Sequence, residues 1–366
     1  MSSEQTEKTE QTERVKTFKC PSCDAPLLYG GAGKMTCEYC GAEIEADAFA
    51  DEEEEIAEGA ESWEKYGSKS EAWSENDHAT LFTCTACGGE IICEEDTAAT
   101  FCPYCDNPAL VGSRLDGVFK PDLIVPFAIE REAAGGILSR FTKKKPLLPS
   151  SFRKLNKIES IKGVYVPYWL YDCDTRSRFV YSATRKTTWR SGDYRYTRTS
   201  YYRLYRRGEM AFERIPVDAS LKMDNTLLES IEPFGLEKAI PFAEAYLSGY
   251  FANRYDDTAE DCAVRAKERV DASVANAMRG TVHGYLTVTP IERQVLLTKS
   301  DVRYALLPVW FMNTRYKDKN YTFVINGETG KMSGKLPISP WRFAAWFASL
   351  TAIVGAIAGV VTMLLM

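Results

Sequence analysis

Histidine is almost missing from this chain: its 366 residues include only His78 and His283. The usual imidazole general bases and histidine-ligated catalytic metals are therefore hard to assemble, and no HExxH or GxSxG arrangement occurs. A phosphate-cradling loop is missing too. GGAGKMT, residues 30–36, has Leu28 where GxxxxGK followed by Ser or Thr requires glycine, and Met35 where it requires the hydroxyl, so an NTPase is unsupported. MSSEQTEKTEQTER at the start has no apolar run after its Met, which argues against a secretory signal and leads us to expect a cytoplasmic bulk. Nor does one sign of charge dominate, the net being -6. That average hides two opposite regions: residues 51–64 hold eight acidic side chains and no basic one, while residues 176–207 hold ten Arg or Lys against one Asp. With 45% hydrophobic residues, a chain of this length can build two or three folding units around a real core.

What is present is cysteine in a repeated pattern. CPSCDAPLLYGGAGKMTCEYCG, residues 20–41, sets two Cys-x-x-Cys pairs thirteen residues apart, and CTACGGEIICEEDTAATFCPYC, residues 84–105, repeats the arrangement with fourteen between. In a reducing compartment such pairs are metal ligands more readily than disulfides. Each turn aims two sulfurs at one point, and the intervening residues return the chain as a hairpin to supply the other two, about 2.3 Å from the ion. This describes two zinc ribbons, holding two structural Zn2+ ions on Cys20, Cys23, Cys37 and Cys40 and on Cys84, Cys87, Cys102 and Cys105. Gly41 and Gly88 follow second cysteines and suit a tight turn, and Pro21 and Pro103 stiffen two others. A thioredoxin-type site is the sharp alternative, but it uses one CxxC opening a helix. Iron in a rubredoxin-like site uses similar knuckles with a longer insertion. Four-cysteine sites are closed, so no catalytic metal and no enzyme is expected. Cys93, Cys173 and Cys262 read as buried small hydrophobes.

The organisation expected is a disordered tail at 1–17, ribbon one at 18–45, an acidic linker at 46–79 with Trp63 and Trp73 as docking points, ribbon two at 80–110, an α+β domain with a mainly antiparallel sheet at 111–340, and a transmembrane anchor at 341–366. Removing ribbon-two ligands should then leave the larger domain intact. FAAWFASLTAIVGAIAGVVTMLLM, residues 343–366, carries no charge. As a helix it reaches roughly 36 Å, enough for a hydrocarbon core of about 30 Å. Lys331, Lys335 and Arg342 precede it and nothing positive follows, so the bulk is expected on the cytoplasmic side of a cell membrane crossed once.

Within 111–340, KPDLIVPF, GVYVPYWLYD, GYLTVTP, YALLPVWFMN and YTFVINGETG read as strands, with helices near 130–144 and 258–279, the second capped by TAED. Pro126-Phe127, a helix and Val-Pro-Tyr-Trp-Leu at 166–170 parallel Pro241-Phe242, a helix and Leu-Pro-Val-Trp-Phe at 307–311. Two related halves or coincidence would each account for this. Pro167 and Pro308 cannot donate ladder bonds, so an edge or bulge is expected at each. The basic stretch from 176 reads as a hairpin turned at Ser191-Gly192-Asp193, with Tyr194, Tyr196, Tyr202 and Leu204 on its more apolar face. That hairpin is open to several readings: a solvated face, a seat for anionic headgroups or an acidic protein, or a stacking platform for single-stranded nucleic acid.

IKGVYVPYWLYD, RIPVDASLKMDNTLLESIEPF and YALLPVWFMNTRYKDKNYTFVINGETGKMSGKLP, followed by a terminal apolar span, resemble the bacterial membrane-anchored TFIIB-type zinc-ribbon proteins, often labelled primosomal helicase PriA-like. The resemblance runs from about residue 80 onward and implies metal-binding cysteines at Cys84, Cys87, Cys102 and Cys105. Some relatives belong to envelope-stress systems, where they are similar to membrane recruiters of phage-shock-type and SPFH-like proteins. The helicase label gains nothing from these residues, since nucleotide-binding motifs are absent. The expected function is a noncatalytic membrane adaptor docking cytoplasmic proteins, with a zinc-ribbon nucleic-acid-binding regulator as the alternative. The ribbons are not strongly basic and the linker would repel phosphates, which favours the adaptor.

Overall fold

The computed structural model describes residues 20–365 apart from 21–22, 24, 26, 32–33, 46–62, 64–70, 75–78, 95–100, 106, 109, 114, 116–117, 156–159 and 318. The tail expected at 1–17 and most of the linker expected at 46–79 lie outside the described residues. The chain divides into two units, one taking Met1–Glu61, Asp174–Ala211 and Arg269–Lys299, the other Ser62–Cys173, Phe212–Glu268 and Ser300–Met366.

In the first unit, β1 (Leu28–Gly31), β2 (Lys34–Thr36) and β3 (Glu43–Glu45) form an antiparallel sheet in that order. Among the described residues Leu27 and Met35 are buried with Cys20 and Cys37, and Ala25, Ala42 and Ile44 pack against them.

The second unit is built on one large, mainly antiparallel sheet. Its elements in chain order are β4 (Ala79–Cys84), β5 (Glu90–Glu94), β6 (Leu110–Ser113), β7 (Leu123–Ile124), α1 (Arg131–Lys143), α2 (Ser150–Leu155), β8 (Lys162–Ser191), β9 (Tyr194–Asp218), α3 (Asn225–Ser230), β10 (Ile240–Pro241), β11 (Phe251–Asn253), α4 (Ala259–Gly280), β12 (Thr287–Tyr316), β13 (Lys319–Asn326), β14 (Met332–Gly334) and α5 (Pro340–Leu365). Of these, β8, β9, α4 and β12 contribute residues to both units. The strand order is β10-β7-β12-β8-β11-β5-β4-β6, with β13 on β12, β14 on β13 and β9 on β8. Successive residues of β8 point to opposite faces, and both faces are covered: Tyr165, Trp169 and Tyr171 pack with Ala259, Cys262 and Ala266 of α4, while Val166, Tyr168 and Leu170 pack with Leu227 and Leu228 of α3. Burial on both faces explains the unbroken apolar run in GVYVPYWLY.

The match of Pro126-Phe127 with Pro241-Phe242 does not hold, but two helix-strand units are related by crossed pairings. β7 runs parallel to β12 with Leu123 opposite Ala305 and Ile124 opposite Leu306, while β11 runs parallel to β8 with Phe251 opposite Val164 and Ala252 opposite Tyr165. Each helix-strand unit thus pairs its short strand with the long strand of the other. Pro308 sits where the edge of β12 passes from β7 to β13, and its carbonyl accepts from Gly327 N at 2.8 Å; Pro167 accepts likewise from Ala219 N at 3.0 Å. A residue without an N–H fits such a changeover, as the sequence expectation of an edge required. Trp169 Nε1 donates to Asp257 O at 3.0 Å, just ahead of α4, and Trp310 Nε1 to Ile129 O at 2.8 Å, just ahead of α1. The counterpart of the segment at Pro126-Phe127 is therefore β11; Pro241 belongs instead to β10, which pairs with β7. In α4, Thr258 and Asp261 cap each other, and Cys262, Ala266, Val270 and Val274 are buried on one face, as expected.

Two expectations are corrected. The boundary between 80–110 and 111–340 does not separate two bodies, because β5 pairs with β11 (Ala252 opposite Ile92, Asn253 opposite Ile91) and brings ribbon two into the large sheet. The cause is β5 itself, whose consecutive Ile91, Ile92 and Cys93 are all buried and need cover on both faces. The basic hairpin turns at Gly192 as expected, but toward its turn both faces are open: Tyr194 is 72% exposed and Tyr196 46%. Residues 202–206 are all half-buried, and exposure alternates along the strand only from Arg207 onward.

Candidate metal centres

Each set of four thiols is assembled by two knuckles with the same backbone plan. The first cysteine of each knuckle donates its N–H to the carbonyl five residues on: Cys20 to Ala25 at 2.7 Å, Cys37 to Ala42, Cys84 to Gly89 and Cys102 to Asn107, each at 2.9 Å. Gly41 and Gly88, at φ 69° and 64°, take the left-handed conformation and donate back to Cys37 and Cys84. Across the knuckles Sγ of Cys20 lies 3.4 Å from that of Cys40, and Cys23 3.5 Å from Cys37; in set two, Cys84–Cys105 and Cys87–Cys102 are each 3.6 Å. Within each set all four sulfurs lie within 4.8 Å of one another. A tetrahedron of bonds about 2.3 Å long has edges of about 3.8 Å, so each set fits one metal ion, whereas a disulfide needs about 2.05 Å. All the cysteines are free thiols. The eight expected ligands are thus brought together in the two expected groups.

Burial is alike in both. Cys20, Cys37, Cys84 and Cys102 are buried, Cys23, Cys40 and Cys105 are exposed and Cys87 is half-buried, so one edge of each set faces solvent. Within set one the thiols shift in both directions: the backbone N–H of Cys40 directed at Cys37 brings that thiol down to about 7, while Cys23 and Cys40 are raised. Cys93 lies outside both sets, packed beside Ile91, and burial pushes its thiol up to about 12. Burial likewise lifts Cys262 to about 11.

Set two has support that sequence reasoning missed. Tyr104, between Pro103 and Cys105, is sunk edge-on against Phe311, and its carbonyl accepts from Asn313 Nδ2 at 2.8 Å. Lys222 Nζ donates to Cys87 O at 3.4 Å and Lys162 Nζ to Cys102 O at 3.5 Å. Four thiolates on a divalent ion would leave a double negative charge, which the two ammonium groups on the knuckle carbonyls would offset. An aromatic residue inside a knuckle was the available signal. Trp63 packs edge-on to Tyr171 at 4.9 Å, and Trp73 is buried with Lys120 Nζ 5.1 Å above its ring, so both expected docking tryptophans of the linker are seated.

The basic hairpin is a second candidate. Trp189 and Tyr196 stack at 5.6 Å, and the Arg185 guanidinium lies 5.5 Å from the Tyr202 ring and 5.1 Å from that of Tyr285. α5 is long and apolar enough to cross a membrane, with mean hydropathy 2.1 over its apolar window.

No protein-family model matches the chain, and no solved structure matches it. Among curated proteins it is 32% identical over 335 residues to "Uncharacterized protein YdjG" of Bacillus subtilis (strain 168), covering 91% of this chain and 94% of that one. Similarity of that extent shows that the chain belongs to the family of that Bacillus protein.

Proposed function

We propose that this protein is a noncatalytic zinc-ribbon adaptor, anchored in the cell membrane by α5, that docks cytoplasmic partner proteins there. Zinc is the proposed ion because four thiolates in a tetrahedral arrangement suit it, and its role is structural because no coordination position is left open. Lys331 and Lys335 ahead of α5 and Arg342 in its first turn favour a cytoplasmic bulk. The observation that carries the adaptor reading is the β8–β9 turn region, where Trp189, Tyr194, Tyr196 and Tyr201 are exposed among arginines. Exposed aromatic and arginine side chains together are the composition of protein contact surfaces. The sequence resemblance directs the search to phage-shock-type and SPFH-like proteins of an envelope-stress response. Crosslinked pull-down from membranes, comparing the full chain with one ending at residue 340, tests this: specific proteins recovered only with the full chain support it, and identical recoveries argue against a membrane-dependent role.

A second reading, a nucleic-acid-binding regulator, draws on the Trp189–Tyr196 stack, since bases stack on such rings. It requires submicromolar binding at physiological salt, tighter than the nonspecific range of about 10⁻⁴ to 10⁻⁶ M.

A further inference from the structure

The second unit is joined to α5 by more than chain continuity. Arg342, in the first turn of α5, reaches into the turn that follows α1: its Nη1 donates to Leu148 O at 2.7 Å and to Pro146 O at 3.3 Å, and its Nη2 to Ser150 Oγ at 2.5 Å. Ser339 N donates to Leu147 O at 2.9 Å. Bonds to four residues of one short turn hold that turn at the base of the helix. Immediately before Pro146 come Lys143 at the end of α1 and Lys144 and Lys145 after it, all exposed, and Arg140 is exposed one helical turn earlier.

Helix ends attract cations, and Arg140 and Lys143 in the last turn of α1 satisfy that preference. Lys144 and Lys145 lie beyond it, both exposed, with the Lys145 ammonium 5.0 Å above the Phe141 ring, and the sequence from 139 to 155 is free of acids. Trp341 and Trp346, either side of Arg342 in α5, are 81% and 55% exposed, and such residues settle at the headgroup layer when a helix enters a bilayer. The basic run is therefore adjacent in the chain to the residues that Arg342 and Ser339 hold at the base of the helix.

We propose that Lys143, Lys144 and Lys145, with Arg140, bind the phosphates of anionic lipid headgroups in the leaflet that α5 enters, so that this face of the second unit lies against the membrane. The inference rests on the anchor reading above. Each lysine near an anionic surface strengthens the association roughly fivefold. The arrangement gives α5 a companion contact that fixes the unit's orientation, which a lone helix does not do.

The test uses the full chain reconstituted in phosphatidylcholine bilayers containing phosphatidylglycerol. Co-flotation through an alkaline carbonate wash reports the anchor. Phosphatidylglycerol retained per chain after detergent extraction, relative to its share of the bilayer, reports the platform. Wild type should retain it in excess. Lys143→Gln, Lys144→Gln and Lys145→Gln together should reduce that excess at least fivefold with co-flotation unchanged, and the corresponding Arg triple should keep it. Equal retention in wild type and the Gln triple, with co-flotation intact, overturns the platform alone. Loss of the full chain in the carbonate wash overturns the anchor reading and the platform with it.

Discussion

Trp169 and Trp310 each supply the indole N–H that one backbone carbonyl ahead of a long helix receives. Replacing either by Phe retains an aromatic ring but leaves that carbonyl short of a donor, at a cost of about 1–3 kcal/mol. Thermal unfolding should show similar losses for both, with metal content unchanged. Ligand identity is testable at the same scale: Cys102→Ser should remove one metal equivalent and Cys93→Ala none, by elemental analysis. Asp224 caps α3 through Thr226 N at 2.9 Å, and its pairing with Lys335 at 3.2 Å, ahead of that cap, holds its carboxyl below the usual range. A lowered folded pKa means this contribution is complete above the unfolded value of about 3.9 and is lost as pH falls through the folded value. Asp224→Asn should flatten the acid limb of stability against pH, while changing stability at neutral pH by less than about 1 kcal/mol. The eight ligands, the Thr258–Asp261 cap and the two strand prolines were legible in the sequence because each is a local pattern with a fixed spacing. Lys162, Lys222 and Asn313 were not, because what brings them to the knuckles is pairing between distant strands.

Between elements, the two ribbons differ in what depends on them. Ribbon one has its own sheet, whereas β4, β5 and β6 of ribbon two continue the large one. Cys20→Ser with Cys23→Ser should therefore remove one metal equivalent and leave unfolding of the second unit unchanged. Cys84→Ser with Cys87→Ser should lower the stability of that unit and increase amide exchange along β11 and β8, the reverse of survival expected when ribbon two is taken as a separate module. Intact β11 protection in that variant would contradict the structure's account of β5. The sequence showed β5 as an apolar strand, but not its neighbour, because a strand buried on both faces carries no alternation to say which edge is paired. The crossing of the two halves was hidden for the same reason. On the hairpin, replacing Arg195, Arg198, Arg203 and Arg206 together should leave nucleic-acid binding and its salt dependence unchanged if the adaptor reading holds. A nucleic-acid platform would instead lose about 0.7 of salt slope per contact removed.

For the molecule as a whole, the parts combine as four-thiol knuckles that fit a metal ion, a two-faced sheet and one apolar helix bonded at its base to the turn after α1. A chain ending at residue 340 should move to the soluble fraction, and protease added outside intact cells should leave the ribbons of the full chain uncut. The apolar span was plain in composition; its bonding through Arg342 was not, since that depends on where the turn after α1 folds. The central claim is that the exposed hairpin receives a protein while α5 holds the chain at the membrane. Its most direct test is a photo-crosslinking residue at Tyr196 of the full chain, irradiated in isolated membranes and read by mass spectrometry. The account predicts a small set of discrete protein adducts that are lost on replacing the four hairpin arginines. Adducts to nucleic acid alone, or none to any protein, would contradict it.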